Sequence, residues 1–348
     1  GCLVGSEMCI RDRLMNVGTP DEPTVDSVKT YLREFLLDPD VIDIPAPLRH
    51  LLVRGIILRT RPKKIAPRYD SIWMDGGSPL RVYTQRICDK LQIRMEDSPC
   101  IVGMRYGNPS IRSALESLRN QGVTRLLLAP LFPHYAQATT ESSVKHAYKH
   151  LNEMGWTPDI VEFGHFETED EFIVPLAESI RPHLGADTHL LFSYHGLPIS
   201  HVKRIDSSKK HCQKVANCCE IACDANALCY GRHCSETTQA VVEKLGLTND
   251  QWSMSYQSRL GPVKWLEPAT TSKVEELVKR GIKNIVVVAP AFLADGLETL
   301  EELDIELRED FIEMGGEELI VVKCLNDNDL WIDGLESLVK KRLHLNVA

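Results

Sequence analysis

Short apolar runs alternate along the chain with longer segments in which apolar residues recur at helical spacing. Six of these runs are strand-length and bounded by Gly, Pro or polar residues: 101–104, 125–130, 190–194, 252–256, 284–290 and 318–322. Segments between them, such as 110–120 and 271–280, carry apolar residues every three to four positions. Strands without strict alternation, separated by helices, are typical of parallel sheets covered on both faces. The pattern therefore predicts an α/β fold with parallel sheets.

The two halves of the chain resemble each other. RLLLAPLFP at 125–133 and NIVVVAPAF at 284–292 each follow a helical segment and a Gly-led turn, and each precedes a loop and another helical segment. This similarity predicts two related α/β lobes, which we place at 14–165 and 166–348. Ligands of open parallel sheets bind beyond the carboxyl ends of the strands. We therefore expect the chemistry in the loops after these runs, facing a cleft between the lobes.

The first thirteen residues, GCLVGSEMCIRDR, do not fit this pattern. They have no periodicity and lack the apolar centre of a secretory signal. We interpret 1–13 as a non-native leader and begin the fold at Leu14.

Composition narrows the classes of function. A net charge of −9 over 348 residues argues against nucleic acid as the main partner, because phosphate binding needs a basic surface. No apolar run reaches the 18 residues that would span a bilayer, so we expect a cytoplasmic protein.

One histidine and a ladder of glutamates follow predicted strands. His195 comes directly after the run at 190–194, and the Gly and Pro behind it interrupt regular structure. A lone histidine is more often a core residue, but a strand's carboxyl end favours function. Glu298, Glu302 and Glu306 are spaced i, i+4, i+8 and would share one face of a helix after the run at 284–290. They could form a solvated face, bind a divalent cation or relay protons.

Two further loops offer groups for a flat, anionic, aromatic ligand. One carries Arg105 and Tyr106, and the other carries Gln257 and Arg259 with Trp265 just beyond. Arginine pairs with carboxylates in a bidentate manner, and aromatic rings stack on a macrocycle. A surface ion pair for each arginine and a core position for the tryptophan are the alternatives.

Taken together, these segments resemble the ferrochelatase family over nearly all of residues 14–343. The resemblance is carried by the motifs LMNVGTP (14–20), GGSP (76–79), RY (105–106), SYHGLP (193–198), QSRLGP (257–262) with WL (265–266), and 295–302. It implies two flavodoxin-like, Rossmann-type lobes of the class II chelatase kind. It also implies an enzyme that inserts Fe²⁺, its substrate, into a porphyrin and releases two protons.

The resemblance assigns roles to individual residues. His195 would be metal ligand and proton acceptor, and Glu298 its catalytic partner across the cleft. Glu302 and Glu306 would continue a metal-binding carboxylate line. The predicted porphyrin contacts are Asn16, Val17, Arg105, Tyr106, Gln257, Arg259 and Trp265.

A cysteine-rich insertion at 200–234 departs from most bacterial relatives. Six of the eleven cysteines lie between positions 212 and 234, and without a secretory signal a disulfide framework is not expected. The insertion resembles an internal iron–sulfur variant of the family. Four thiolates suit a [2Fe–2S] cluster, which we predict, with a [4Fe–4S] cluster or Zn²⁺ as alternatives. The predicted ligands are Cys212, Cys219, Cys229 and Cys234, with Cys218 and Cys223 as substitutes.

Other possibilities remain open from the sequence. Apolar residues at 45–58 followed by a basic cluster at 59–64 would form a core-facing helix or touch the inner membrane peripherally. Protoporphyrin IX is the predicted substrate, and coproporphyrin III the alternative. A sirohydrochlorin cobaltochelatase and a non-catalytic haem- or metal-binding module are more distant alternatives. The oligomeric state is not predicted.

Overall fold

The computed structural model describes residues 10–95, 99–259, 261 and 263–345, which form two compact units. Unit 1 comprises the described residues up to Leu131, Ala138–Gly164, and those from Leu335 onward; unit 2 comprises Phe132–Gln137 and His165–Gly334. The predicted lobes, 14–165 and 166–348, are each continuous in sequence, whereas both units combine separate segments. The C-terminal segment joins unit 1 because Arg342 donates to the carbonyl of Phe163 (2.9 Å) and Arg125 to that of Leu343 (3.4 Å).

Each unit contains one four-stranded parallel sheet. The strands of unit 1 are β1 (Ile10–Gly18), β2 (Cys100–Tyr106), β3 (Arg125–Pro130) and β4 (Asp159–Glu162), in the order β2-β1-β3-β4. Those of unit 2 are β5 (Thr188–His195), β6 (Trp252–Gln257), β7 (Asn284–Val288) and β8 (Glu318–Val321), in the order β6-β5-β7-β8. The shared strand order confirms the predicted α/β fold with parallel sheets.

The predicted leader overlaps the first strand. β1 begins at Ile10, and its backbone pairs with β3 from that residue on. Residues 1–9 of the predicted leader lie outside the described residues.

Twelve α-helices are present in the described part of the chain. Those that lie wholly in unit 1 are α1 (Val25–Leu36), α2 (Ala46–Leu52), α3 (Leu58–Ser71), α4 (Pro79–Arg94), α5 (Ile111–Asn120) and α6 (Ser142–Glu153). The others are α7 (Asp170–Ile180), α8 (Ile199–Ile205), α9 (Tyr230–Leu245), α10 (Thr270–Lys279), α11 (Arg308–Glu313) and α12 (Asp329–Leu345). Within the described residues, none of the helices is both long and apolar enough to cross a bilayer.

Helix α5 shows how the sequence fixes these elements. The hydroxyl of Ser110 accepts the backbone N–H of Ser113 and so caps the first turn (3.1 Å). Ile111, Leu115 and Leu118 then recur on one face and pack on the sheet of unit 1 in a buried cluster. Fully burying one such side chain contributes roughly 1.5–3 kcal/mol. A corresponding cluster covers the sheet of unit 2, with Val274 and Leu277 of α10 against Leu191 of β5.

The helix after β7 differs from the expected one. Residues Glu298–Leu307 form a π-helix, and a shorter π-helix at Gln137–Glu141 follows β3, the matching strand of unit 1. In a π-helix the hydrogen bonds run from i to i+5 with roughly 4.4 residues per turn, so residues four apart still lie close to one face. The helix type differs from the predicted α-helix, but the charges of Glu298 and Glu306 both act on Glu302, as the predicted ladder requires.

Buried His134 should make the stability of the protein depend on pH. Its Nε2 hydrogen-bonds to the hydroxyl of Thr237 (2.9 Å), and burial, followed by the charges of neighbouring histidines, lowers the pKa of His134 to about 3. Between pH 6.5 and 3 the unfolded chain therefore binds more protons at this residue than the folded one. Each unit by which the pH falls within this window should therefore lower the free energy of unfolding by about 1.4 kcal/mol from this residue alone. Urea unfolding between pH 7 and 4 measures this slope.

Substitution separates His134 from the other histidines. His134→Gln should flatten the pH slope, whereas His183→Gln, at an exposed position, should leave it as in the wild type. An unchanged slope in His134→Gln would contradict the assignment.

Candidate functional site

His195 is the last residue of β5, the second strand in its sheet. Its Nδ1 lies 2.7 Å from the carbonyl oxygen of Gly196. A carbonyl can only accept, so Nδ1 carries the proton and the lone pair of the neutral ring is on Nε2. Burial lowers the pKa of His195. The ring is therefore neutral near pH 7, with Nε2 able to bind a metal or accept a proton.

Two hydrogen bonds fix the backbone next to this histidine, and the space around Gly196 is tight. The N–H of Gly196 donates to the carbonyl of Gln257 (2.8 Å), and the hydroxyl of Tyr230 donates to the carbonyl of His195 (2.9 Å). A Cβ at position 196 would lie 2.9 Å from the carbonyl oxygen of Gln257 and 3.3 Å from the indole of Trp265. Only glycine fits so close an approach, which explains the residue that follows His195.

Two carboxylates of the π-helix belong to the same site. Burial raises the pKa of Glu298, and burial together with the charge of Glu298 raises the pKa of Glu302. Ser258 donates its hydroxyl to Oε2 of Glu302 (2.6 Å), which partly opposes this rise. The charge of Glu302 also acts on His195 and opposes the lowering of its pKa. Glu302 is thus the carboxylate that is electrostatically coupled to the imidazole.

The remaining glutamate of the ladder, Glu306, acts on Glu302 and adds to the rise of its pKa. The carboxylate of Glu298 lies over Gly296, where a Cβ would be 3.2 Å from Oε2. A neutral imidazole beside mutually repelling carboxylates is a donor set that a divalent cation would stabilise.

Asp295 anchors the start of this π-helix. Its Oδ1 accepts the hydroxyl of Thr299 (2.9 Å) and the N–H of Cys324 (3.2 Å), and its Oδ2 accepts the side-chain amide of Asn326 (2.7 Å). The side-chain oxygen of Asn326 in turn accepts the N–H of Asp295 (2.8 Å). These bonds hold the turn that leads into Glu298.

Sequence reasoning missed three contributors to this site. The ring of Phe292 lies 6.2 Å from that of His195, and Ser258 and Tyr230 make the contacts described above. Ser258 and Phe292 follow strands β6 and β7, so the rule that singled out His195 could have found both. Tyr230 is distant in sequence from every strand end and gave no such signal.

The predicted porphyrin contacts of unit 2 have protein partners. Gln257 is buried; it accepts the hydroxyl of Ser193 (2.6 Å) and donates to the backbone carbonyl of Glu298 (3.3 Å). Trp265 is buried as well, and Arg259 forms an ion pair with Glu267 (3.5 Å). Leu260 and Pro262 of the same motif lie outside the described residues.

In unit 1 the polar side chains that were predicted to contact porphyrin also have hydrogen-bond partners within the protein. Asn16 donates to the hydroxyl of Thr84 (3.0 Å), and Val17 is half-buried. Arg105 donates to Ser142 (2.8 Å) and pairs with Asp38, whose carboxylate also accepts the hydroxyl of Tyr106 (2.9 Å). Asp38 contacts both Arg105 and Tyr106, and no feature of the sequence predicts this role. Contact of these residues with porphyrin stays a prediction.

Comparison with known proteins identifies the family. A family model described as Ferrochelatase matches residues 14–343. The chain belongs to the ferrochelatase family. A ferrochelatase of Azotobacter vinelandii is 42% identical over 330 residues, which cover 94% of this chain and 97% of that protein. One of Pseudomonas aeruginosa is 40% identical over 326 residues, which cover 93% and 96%.

A solved structure supports the fold. SirB from Bacillus subtilis with Fe³⁺ superposes with a TM-score of 0.54 at 10% sequence identity, covering 96% of each chain. At this identity the likeness shows a shared fold and no more.

Four thiols of the ferrochelatase insertion lie close enough to influence one another; we call Cys212, Cys218, Cys219 and Cys229 the thiol group. The sulfurs of Cys218 and Cys219 are 4.0 Å apart, and Cys219 hydrogen-bonds to Cys229. Burial, and then the charges of Cys229 and Cys218, raise the pKa of Cys212 to about 11. The hydrogen bond from Cys219 and the backbone N–H groups at the start of α9 lower the pKa of Cys229 to about 6.

The other two cysteines of the insertion have different neighbours. Cys223 lies 3.6 Å from Nδ1 of His211. Cys234 is fully buried, and burial, together with the charge of Cys229, raises its pKa well above the ordinary value. Cys218, a predicted substitute, thus lies beside Cys219, and the charge of Cys229 acts on both Cys212 and Cys234; the ligand set stays a prediction.

Asp206 organises the segment that leads to the thiol group. Its Oδ1 accepts the N–H and hydroxyl of Ser208 and the N–H of Lys209, while its Oδ2 accepts the N–H groups of His211 and Cys212 (both 2.9 Å). These bonds hold the pKa of Asp206 well below its usual range. Five donors on one carboxylate fix the chain as far as Cys212.

A second cluster of ligand-type side chains is present in unit 2. Ligand atoms of His165, Glu167 and His233 all lie within 4.8 Å of one another. However, Nδ1 of His233 accepts the N–H of Tyr135 (3.2 Å), so the ring proton is on Nε2, which donates to the carbonyl of Ala227 (2.9 Å). A metal would need the lone pair at that nitrogen. The cluster is better described as a hydrogen-bonded support for buried Glu167.

Proposed function

We propose that this protein inserts Fe²⁺ into a porphyrin, converting protoporphyrin IX to protohaem with release of two protons. The observation that carries the proposal is the neutral imidazole of His195, with its lone pair on Nε2, coupled to the carboxylate of Glu302 in a ferrochelatase-family chain. The reaction needs a base for the pyrrole protons and ligands that bind Fe²⁺ without trapping it. Imidazole and carboxylate meet both needs.

The residues divide the work by their chemistry. Nε2 of His195 accepts a pyrrole proton or binds the incoming iron. Glu302 is the carboxylate whose charge acts on this ring, and Glu298 precedes it on the same helix. Burial raises the pKa of both, so each takes up a proton more readily than an exposed carboxylate does. Glu306 extends the line and passes protons or iron along it. A bent macrocycle would expose its nitrogen lone pairs to these groups.

We also propose that the thiol group holds an iron–sulfur cluster, with [2Fe–2S] as the expected type. The fit rests on four thiols whose ionised forms repel one another and on Cys229, whose thiolate is stabilised at the N-terminus of the 16-residue helix α9. Cys212, Cys218, Cys219 and Cys229 would be the ligands, in place of the set with Cys234. A cluster supplies a structural or sensory centre here, since iron insertion requires no electron transfer.

A peripheral membrane contact is the third part of the proposal. Leu48, Leu51 and Ile56 are 57%, 68% and 61% exposed around the end of α2, and the exposed cations Arg54 and Arg59 lie beside them in sequence. Apolar side chains next to basic ones suit an anionic bilayer. We propose that this segment touches the inner membrane from the cytoplasmic side, where a hydrophobic porphyrin can be exchanged.

Removing the metal-binding side chains should abolish insertion. His195→Ala and Glu298→Ala should each lower kcat for Fe²⁺ insertion by at least ~100-fold, because each removes a group used at the reacting centre. Porphyrin affinity, measured by fluorescence titration, should stay within about twofold. Steady-state assays with protoporphyrin IX and coproporphyrin III measure the loss and also decide between the two substrates.

Glu309→Gln is the matched control, since Glu309 is exposed on α11, and its rates should equal those of the wild type. Near wild-type insertion in His195→Ala would overturn the site. Absence of insertion in the wild-type protein would favour a binding module.

Serine substitutions should define the cluster ligands. Cys212→Ser, Cys218→Ser, Cys219→Ser and Cys229→Ser should each remove the visible absorption and the non-porphyrin iron of the purified protein. Cys234→Ser and the buried Cys88→Ser of unit 1 should retain both. Loss in Cys234→Ser with retention in Cys218→Ser would restore the ligand set predicted from sequence, and a colourless protein with one zinc per chain would replace the cluster by Zn²⁺.

Membrane contact should depend on the exposed apolar side chains. The double variant Leu51→Gln, Ile56→Gln should bind phosphatidylglycerol-containing vesicles at least ~10-fold more weakly than the wild type, because burial of each side chain contributes roughly 1.5–3 kcal/mol. Vesicle cosedimentation measures this. Ile93→Gln, which alters an exposed isoleucine of α4, is the control. Equal binding by all three proteins would exclude this surface.

A further inference from the structure

The first turn of α9 lies between the thiol group and His195. Cys229 is its N-cap residue, and Tyr230 is the first residue of the helix. The hydroxyl of Tyr230 donates to the carbonyl oxygen of His195 (2.9 Å). A residue adjacent in sequence to a candidate cluster ligand therefore holds the backbone of the candidate iron ligand.

Tyr230 has little freedom to move away from this contact. It is buried, and its ring meets that of His134 edge-on at 5.9 Å. Its hydroxyl proton is used by the carbonyl of His195, and the charge of Cys234 acts on its pKa, so the buried thiol lies close to Tyr230.

The opposite side of the same turn contacts the thiols. A Cβ on Gly231 would lie 2.9 Å from the sulfur of Cys219 and 4.0 Å from that of Cys229. The backbone N–H groups of Gly231 and Arg232 also lower the pKa of Cys229, so they lie near its sulfur. Any shift of these sulfurs therefore moves the backbone on which Tyr230 is placed.

We infer that the hydroxyl of Tyr230 positions His195 and couples the thiol group to iron binding at that histidine. Tyr230 acts through His195 and is a positioning residue. The coupling is reciprocal, because a change at either end that favours one placement of the turn favours it at the other. This inference rests on the proposed function, in which His195 binds Fe²⁺ and the thiol group holds a cluster.

Tyr230→Phe removes the hydroxyl and retains the ring. KM for Fe²⁺ should rise and kcat/KM for Fe²⁺ should fall about tenfold, as expected for loss of one buried hydrogen bond at a ligand. KM for porphyrin and the cluster content should stay within about twofold of wild type. A purely structural role would change both substrates' parameters together.

Tyr194→Phe is the matched control. Tyr194 is the residue before His195. Its buried hydroxyl bonds to Thr238 of α9, the helix that begins with Tyr230 (2.8 Å). This variant should retain the wild-type KM for Fe²⁺. If Tyr230→Phe behaves like Tyr194→Phe, the positioning role is wrong. If Tyr230→Phe does not fold, Cys234→Ala, which removes the buried thiol close to Tyr230, should shift KM for Fe²⁺ in the same direction by about threefold, and no shift would overturn the inference.

Hydrogen exchange tests the coupling without an activity assay. Amide exchange in peptides covering 193–198 should be faster in Cys219→Ser than in the wild type, and this difference should vanish when both proteins also carry Tyr230→Phe. A difference that persists in the Tyr230→Phe background would show that Tyr230 does not transmit the effect. Unaltered cluster content in Cys219→Ser would instead count against the proposed ligand set, and absent insertion by the wild type against the proposed function.

Discussion

The hydrogen bond from Nδ1 of His195 to the carbonyl of Gly196 sets the tautomer on which the chemistry of unit 2 depends. It leaves the lone pair on Nε2, and burial keeps the ring neutral by lowering its pKa. The charge of Glu302 acts in the opposite direction. A ring held between these two influences can take up a proton or a cation and release it again, which a strongly basic or fully apolar environment would prevent.

The carboxylates complete this balance. Burial raises the pKa of both Glu298 and Glu302, and the charge of Glu298 raises that of Glu302 further. A divalent cation relieves the repulsion, so its arrival displaces protons from the same groups. Proton release and iron entry are thereby linked through one short helix, and Asp295 fixes the point at which that helix begins.

The sequence allowed the strands and the position of His195 to be predicted, because buried parallel strands give continuous apolar runs and ligand-binding residues follow them. It did not allow the π-helix to be predicted, since Glu298, Glu302 and Glu306 have a spacing that α-helical geometry explains equally well. Arg105 and Tyr106 have the composition of a ligand site, but both contact Asp38, more than sixty positions away. Contacts at such separation leave no local pattern. The thiol spacing likewise could not separate Cys218 from Cys234.

The two candidate metal centres of unit 2 differ in the strength with which they would retain iron. Soft thiolates hold iron tightly and suit a resident cluster, whereas imidazole and carboxylate bind Fe²⁺ weakly enough for it to leave as product. Direct exchange of iron between the two centres would therefore transfer it to the thiols and leave less Fe²⁺ for insertion. A link through the backbone avoids this loss: Tyr230 contacts His195 by a hydrogen bond and carries no metal ligand of its own. On the proposed function, the state of the thiol group would then alter the placement of His195 while the two pools of iron remain separate.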